Sequence, residues 1–224
     1  MKKIIFLFLV VTSFTSFSKS QQEVSYQDIQ EAENIFHNAQ SMKMNKRQLI
    51  ENMEKCSNNG NKYCSFIVGY LYFNEKDYIN AFPFFVKADK KFKAKNGFEF
   101  WPSAIYLGTL YINGWAVEQD NDKAIIYFKE CASSLIPMCA FTVSGLYADK
   151  RNDEENHIQA YAWMLVSKKL GMVKIPNTKH WSVEQWQGML EDIMSKEEII
   201  KGNELAEKLC SSMHNCEKPK DWVY

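Results

Sequence analysis

One stretch of this chain constrains its fold more than any other. From Ser103 to Ala132 it reads SAIYLGTLYINGWAVEQDNDKAIIYFKECA. Ser103, Leu107, Gly108 and Tyr111 recur at helical spacing and fall on one face. Gly108 has no side chain and lets a neighbouring helix approach closely. Asn113-Gly114 ends the helix as a glycine past the last turn does. Asp120 and Asp122 then stand where a second helix takes an N-cap and a negative charge. Its inward residues are Ala124, Phe128 and Cys131. The stretch predicts a helical hairpin.

Leu107, Gly108, Tyr111, Gly114, Val117, Asp120, Lys123, Ala124, Tyr127, Phe128 and Ala132 stand in register with a known pattern. The stretch resembles the Sel-one-like repeat, a relative of the tetratricopeptide repeat. Ser103, Ala116 and Cys131 depart from that pattern, replacing an Ala, a Gly and an Ala. The resemblance implies an all-α protein, an α/α superhelical solenoid of stacked antiparallel helix pairs. It implies no chemistry, because the repeat is a scaffold.

Internal repetition follows by counting. Cys64, Ser103 and Cys139 open the first helices; Gly69, Gly108 and Ser144 mark the close approach; Tyr72, Tyr111 and Tyr147 follow three residues on. In the second helices, Ala81, Ala124 and Ala160 are followed by Ala88, Cys131 and Ser167. A shorter turn at Asn74-Glu75-Lys76 and an insertion around Phe92 to Phe100 account for the unequal steps. Three repeats therefore occupy residues 58–171, with a capping hairpin at 21–57 and capping helices at 172–224.

In the first cap, Ser25 to Asp28 reads as a capping-box start, with Ile29, Ala32, Phe36 and Ala39 on one helical face. Asn45 starts a second helix with Leu49, Met53 and Cys56 inward. Ser182-x-x-Gln185 and Ser195-x-x-Glu198 start two more near the end. Pro83 predicts a bend or a late start in its helix, whereas Pro102 and Pro137 fit the first turns of theirs.

Lys2-Lys3, an apolar run from Ile4 to Val11 and a Ser/Thr-rich stretch to Ser20 read as a secretory signal peptide over residues 1–20. Eight apolar residues are too few to span a bilayer as a helix. The expected mature protein is exported, to a bacterial periplasm or beyond, with no membrane insertion. Removing Lys2, Lys3 and Lys19 leaves 24 basic against 27 acidic residues, which gives no electrostatic case for nucleic acid.

Six cysteines come as Cys56 with Cys64, Cys131 with Cys139, and Cys210 with Cys216. In a hairpin array the first two pairs lie on the last turn of one repeat and the first turn of the next, where a disulfide staples the seam. Their spacing resembles the disulfide-bearing cysteine-rich (Hcp) branch of the same family. Zinc is the rival reading, but there is no C-x-x-C and no His at ligand spacing.

Catalytic motifs are absent. His37, His157, His180 and His214 include no i, i+4 pair and no H-E-x-x-H; there is no G-x-S-x-G and, after the signal, no S-x-x-K. His37 reads as solvent-facing, and Asp153-Glu154-Glu155 as a solvated loop. Neither an enzyme nor a cofactor is expected. The alternative, a β-lactam- or peptidoglycan-binding hydrolase, follows only from the cysteine-rich relatives.

The remaining candidate is surface. Aligned repeats place Tyr70, Asn74, Tyr106, Thr109 and Asn113 toward a concave groove, with Trp115 in the adjoining turn. Tyr70 and Tyr106 either face that groove or complete neighbouring cores. Trp181 and Trp186 are expected to pack the terminal hairpin. The resemblance implies a binding scaffold for a protein or peptide, as an envelope regulator or an immunity protein.

Overall fold

The computed structural model describes residues 26–89, 91–93, 99–150, 153–174 and 182–216. The signal segment, Ser25, His180 and Trp181 lie outside these. The chain divides between Glu99 and Phe100 into two compact units.

The first unit opens with α1 (26–41) and α2 (Lys46–Asn58), followed by α3 (Lys62–Asn74) and α4 (Tyr78–Lys87). Asn45 caps α2 in a reciprocal box with Gln48, Asn61 caps α3 through Cys64 N–H, and Asp77 caps α4 through Asn80 N–H. Each cap satisfies a donor that the first helical turn leaves unpaired. The core gathers Ala32, Met53, Cys56, Cys64 and Val68, with Ile35 and Leu49 against them. In α1 the inward face thus runs through Ala32, Ile35 and Ala39, while Phe36 is exposed. Ala32 is the shared residue; choosing i+4 instead of i+3 from it points to the wrong aromatic neighbour.

Pro83 does not delay the start of its helix. Helix α4 starts at Tyr78, the register equivalent of Asn121 in the next repeat, and runs through Pro83 without interruption. Pro83 lies on the exposed side of α4. Water there can satisfy the carbonyl that loses its partner.

A two-stranded ribbon, β1 (Phe92–Lys93) with β2 (Glu99–Phe100), occupies the insertion. It departs from a purely helical expectation but leaves the repeats helical. Phe92 is fully buried and meets Tyr63 edge-on at 5.4 Å.

The second unit contains α5 (Ala104–Asn113), α6 (Asn121–Ser133), α7 (Pro137–Asp149), α8 (Glu154–Lys169), α9 (Val183–Glu191) and α10 (Lys196–Ser212). Pro137 holds the first position of α7 as expected, but Pro102 precedes α5, whose N-cap is Ser103. Asp120 caps α6, and Ser182 and Ser195 form capping boxes at α9 and α10. Asp153 caps α8, with Glu154 and Glu155 in its first turn. The acidic run is therefore a helix start, where negative charge is favoured, rather than a loop.

The second-helix columns found by counting are buried, while the tyrosine column is half-buried. Ala81, Phe85 and Ala88, then Ala124, Phe128 and Cys131, then Ala160, Met164 and Ser167 are all buried. A Cβ at Gly69 would meet the Phe85 ring at 2.9 Å, and one at Gly108 the Phe128 ring at 2.9 Å. In the third repeat Ser144 replaces the glycine, Met164 replaces the phenylalanine, and the Ser144 hydroxyl accepts the Trp186 indole N–H at 2.9 Å.

Cys56–Cys64 ties α2 to α3 and Cys131–Cys139 ties α6 to α7, with Cα separations of 5.9 and 5.8 Å. Cys210–Cys216 ties the last turn of α10 to a 3-10 turn at His214–Cys216. Such bonds belong to an oxidising compartment. Among the described residues, no helix is long and apolar enough to cross a membrane.

Candidate partner-binding surface

The six surface residues divide between the units. On α3, Tyr70 is 38% exposed and stacks on Phe66, and Asn74 is the exposed last residue of the helix. On α5, Tyr106 and Thr109 are half-buried while Asn113 is exposed. Thr109 Oγ1 donates to the Ile105 carbonyl at 2.7 Å, and Asn113 Nδ2 to the Thr109 carbonyl at 2.8 Å. These two side chains turn donors back onto their own helix. That leaves the Thr109 methyl and the Asn113 amide oxygen and second amide N–H as their outward chemistry.

Among the described residues, Trp115 is the best-presented aromatic of the second unit at 37% exposure. Its neighbours Gly114 and Ala116 both have φ of 65°. The Trp115 N–H donates to the Leu110 carbonyl at 3.0 Å, Gln119 Nε2 to the Ile112 carbonyl at 3.0 Å, and the Asp120 N–H to the Tyr111 carbonyl at 3.0 Å. The turn is thus pinned to α5 on both sides of the indole. A fixed, half-exposed tryptophan loses little freedom on binding, which is what an interface anchor requires.

The tyrosine column has a different role. Tyr72 stacks on Phe84 and donates to Glu54; Tyr111 stacks on Tyr127 with 8° between the rings. Around Tyr147, Lys129 Nζ donates to the phenol oxygen at 2.8 Å and lies over both the Tyr147 and Trp163 rings. The Tyr72–Phe84 and Tyr111–Tyr127 stacks close their own hairpins, whereas Tyr72–Glu54 and Lys129–Tyr147 reach back across the seam to the preceding helix, so the column braces both hairpins and seams.

A strongly perturbed phenol lies where α8, α9 and α10 meet. Burial, then hydrogen bonding to Glu191, pushes the Tyr161 phenol up to about 12. Its hydroxyl donates to Glu191 Oε1 at 2.7 Å, which also accepts from Gln187 Nε2 at 2.7 Å. These two donors, Gln187 first, lower the Glu191 carboxyl. Gly202 faces the Tyr161 ring, and a Cβ there would meet it at 2.7 Å. Nearby on the same helices, His157 Nδ1 lies 3.3 Å from Glu198 Oε1, and Lys201 pairs with Glu154 and Glu197. A phenol pushed up in this way gives up its proton less readily, and Tyr161–Glu191, His157–Glu198 and Lys201–Glu154 each join two helices, so this network is bracing. Sequence reading missed it because its members lie 30 to 47 residues apart.

Among the described residues, no group of three or more His, Cys, Asp or Glu stands ready to hold a metal ion. His37 is exposed, as its position on α1 predicts. Trp186 packs on the third repeat, edge-on to Phe141 at 6.2 Å.

No family model matches the chain, and no curated protein does. Among solved structures it is similar to a protective antigen present in uropathogenic Escherichia coli strains and displaying an SLR fold. The identity is 17% and the TM-score 0.60, over 92% of this chain and 43% of that one. The chain thus spans less than half the length of this neighbour. With the buried columns and hairpins above, the likeness gives this chain the Sel-one-like repeat fold.

Proposed function

We propose that this chain is an exported binding scaffold, free of catalysis and cofactor, whose first-helix surfaces capture another protein or a peptide. The observation that carries the proposal is the Trp115 turn. An indole at 37% exposure is locked between two left-handed residues, with Tyr106, Thr109 and Asn113 on the helix leading into it. Tyr70 and Asn74 offer the corresponding positions on α3 in the other unit. Export rests on the signal-like residues 1–20 and is in keeping with three disulfides. An envelope regulator or an immunity protein fits this description.

Affinity capture from envelope extracts tests it, with wild type against Trp115→Ala, Tyr106→Ala and Tyr70→Ala. Loss of a discrete captured protein with Trp115→Ala, at unchanged thermal stability, is expected. An identical captured set from all three variants removes these surfaces from consideration. Turnover of a chromogenic cephalosporin by the oxidised protein would instead establish the hydrolase.

A further inference from the structure

The three disulfides differ in their surroundings. All six cysteines are buried, Cys210 at 3% and Cys216 at 6% among them, but at the two seams both partners are helical, so reaching a sulfur requires separating two packed helices. The left-handed residue of each seam turn is Gly60 or Leu135, neither of them a cysteine. Breaking the sulfur bond leaves those turns as they are.

At the end of α10 the strain and the bond involve the same residue. The chain leaves the helix at Met213, and Asn215 and Cys216 then hold φ of 54° and 58° in succession. Asparagine tolerates that conformation better than most L residues, whereas a cysteine at position 216 does not. Two backbone bonds accompany it, from the Met213 N–H to the Cys210 carbonyl and from the Cys216 N–H to the Met213 carbonyl, both 2.9 Å. Opening this turn separates no helix from another.

We propose that Cys210–Cys216 is a thiol-reducible switch that opens while both seam disulfides stay closed. A dithiol reductant supplies the electrons. One of its thiolates attacks Cys216 Sγ, the S–S bond breaks, and Cys210 Sγ leaves as a thiolate that takes up a proton. The second reductant thiolate then displaces Cys216 Sγ, which is protonated in turn, and the reductant departs as a cyclic disulfide. Asn215 and Cys216 are freed to leave the left-handed region, and the chain after Met213 is untied from α10.

Dithiothreitol titration of the native protein, with alkylation and peptide mass spectrometry, reads the order directly. Cys210 and Cys216 are expected to be labelled at a concentration at least about 10-fold below that for the other four cysteines, with the helical circular dichroism signal retained. Labelling of either seam pair at an equal or lower concentration overturns the proposal, as does helix loss with the first pair. Access alone could order the labelling, so Asn215→Gly is measured in a glutathione redox buffer at equilibrium. Relieving one left-handed residue in the oxidised form, partly offset by the freedom glycine gains once the turn opens, should raise the midpoint ratio of squared glutathione concentration to glutathione disulfide concentration by about 2-fold. An unchanged or lower midpoint rejects the coupling of backbone strain to the bond.

Discussion

At the seam between α2 and α3, Cys56 bonds Cys64, and the next residue on each helix, Ser57 and Ser65, shares a buried hydrogen bond of 2.8 Å. At the seam between α6 and α7, Cys131 bonds Cys139, and the corresponding neighbours are Ala132 and Ala140, both fully buried. Four residues after the first cysteine, the backbone is left-handed in both: Gly60 at φ 100° and Leu135 at φ 59°. Gly171, four residues after Ser167, repeats the position at φ 97°. The backbone conformation of the turn is shared, while the side chains that stabilise it are not. Leu135 is fully buried, and about 1.5–3 kcal/mol of burial outweighs a left-handed cost of about 1–2 kcal/mol.

Leu135→Ala breaks the comparison most severely, since it keeps the unfavourable φ and removes the compensation. A loss of about 2–4 kcal/mol in urea unfolding is expected. Gly60→Ala meets no atom within 4 Å, and its φ cost of about 1–2 kcal/mol is partly offset by about 0.5–1 kcal/mol of unfolded-state freedom removed, leaving a loss of about 0.5–1 kcal/mol. Should Gly60→Ala prove the more damaging of the two, burial is not what holds Leu135.

Removing a disulfide comes next in size. Cys131→Ala/Cys139→Ala and Cys56→Ala/Cys64→Ala each open a loop of the same separation, 8 residues, so each should cost about 2–3 kcal/mol. Calorimetry showing a gap beyond about 1 kcal/mol would assign real weight to the differing neighbours.

The hydroxyl pair sharpens the contrast further. Ser65 Oγ also bonds the Asn61 carbonyl at 3.1 Å, whereas Ser65 is the partner the structure gives Ser57 Oγ. Ser65→Ala therefore strands a buried hydroxyl and should cost about 1–3 kcal/mol, against about 1 kcal/mol for Ser57→Ala. The double variant reproduces the alanine pair of the other seam. It should recover most of the larger loss, and a strictly additive double-mutant cycle would show that the pair is not coupled.

Much of this was legible in the sequence because it repeats. Column spacing located Gly69, Gly108 and the cysteine pairs, for a fixed hairpin geometry demands the same residue size at the same offset. Leu135 was not legible, because a leucine carries no turn signal; aligning it with Gly60 and Gly171 would have supplied one. Phe36 was placed inward by a period count that fits Ile35 equally well, and only the packing of α1 on α2 separates them. The bracing of Tyr161, Glu191 and Gln187 was out of reach, since long-range polar pairs follow no period. Among the surface candidates, the turn chemistry foretold the exposure of Trp115, whereas the half-burial of Tyr106 depends on neighbouring side chains.

Ala116 offers the smallest effect and the one closest to function. It stands where the repeat pattern carries a glycine, and its φ of 65° is the conformation such a glycine would adopt. Relief of about 1–2 kcal/mol of left-handed cost is partly offset by about 0.5–1 kcal/mol of added unfolded-state freedom. Ala116→Gly should therefore stabilise the protein by about 0.5 kcal/mol, a rise of roughly 1–2 °C in Tm for a chain of this size. Unlike Leu135, Ala116 has no large buried side chain to justify its conformation, so the same φ with a different balance should respond with the opposite sign. If Ala116→Gly destabilises instead, packing of the Ala116 methyl outweighs the backbone cost, and the turn that holds Trp115 is held by side chains as the Leu135 turn is.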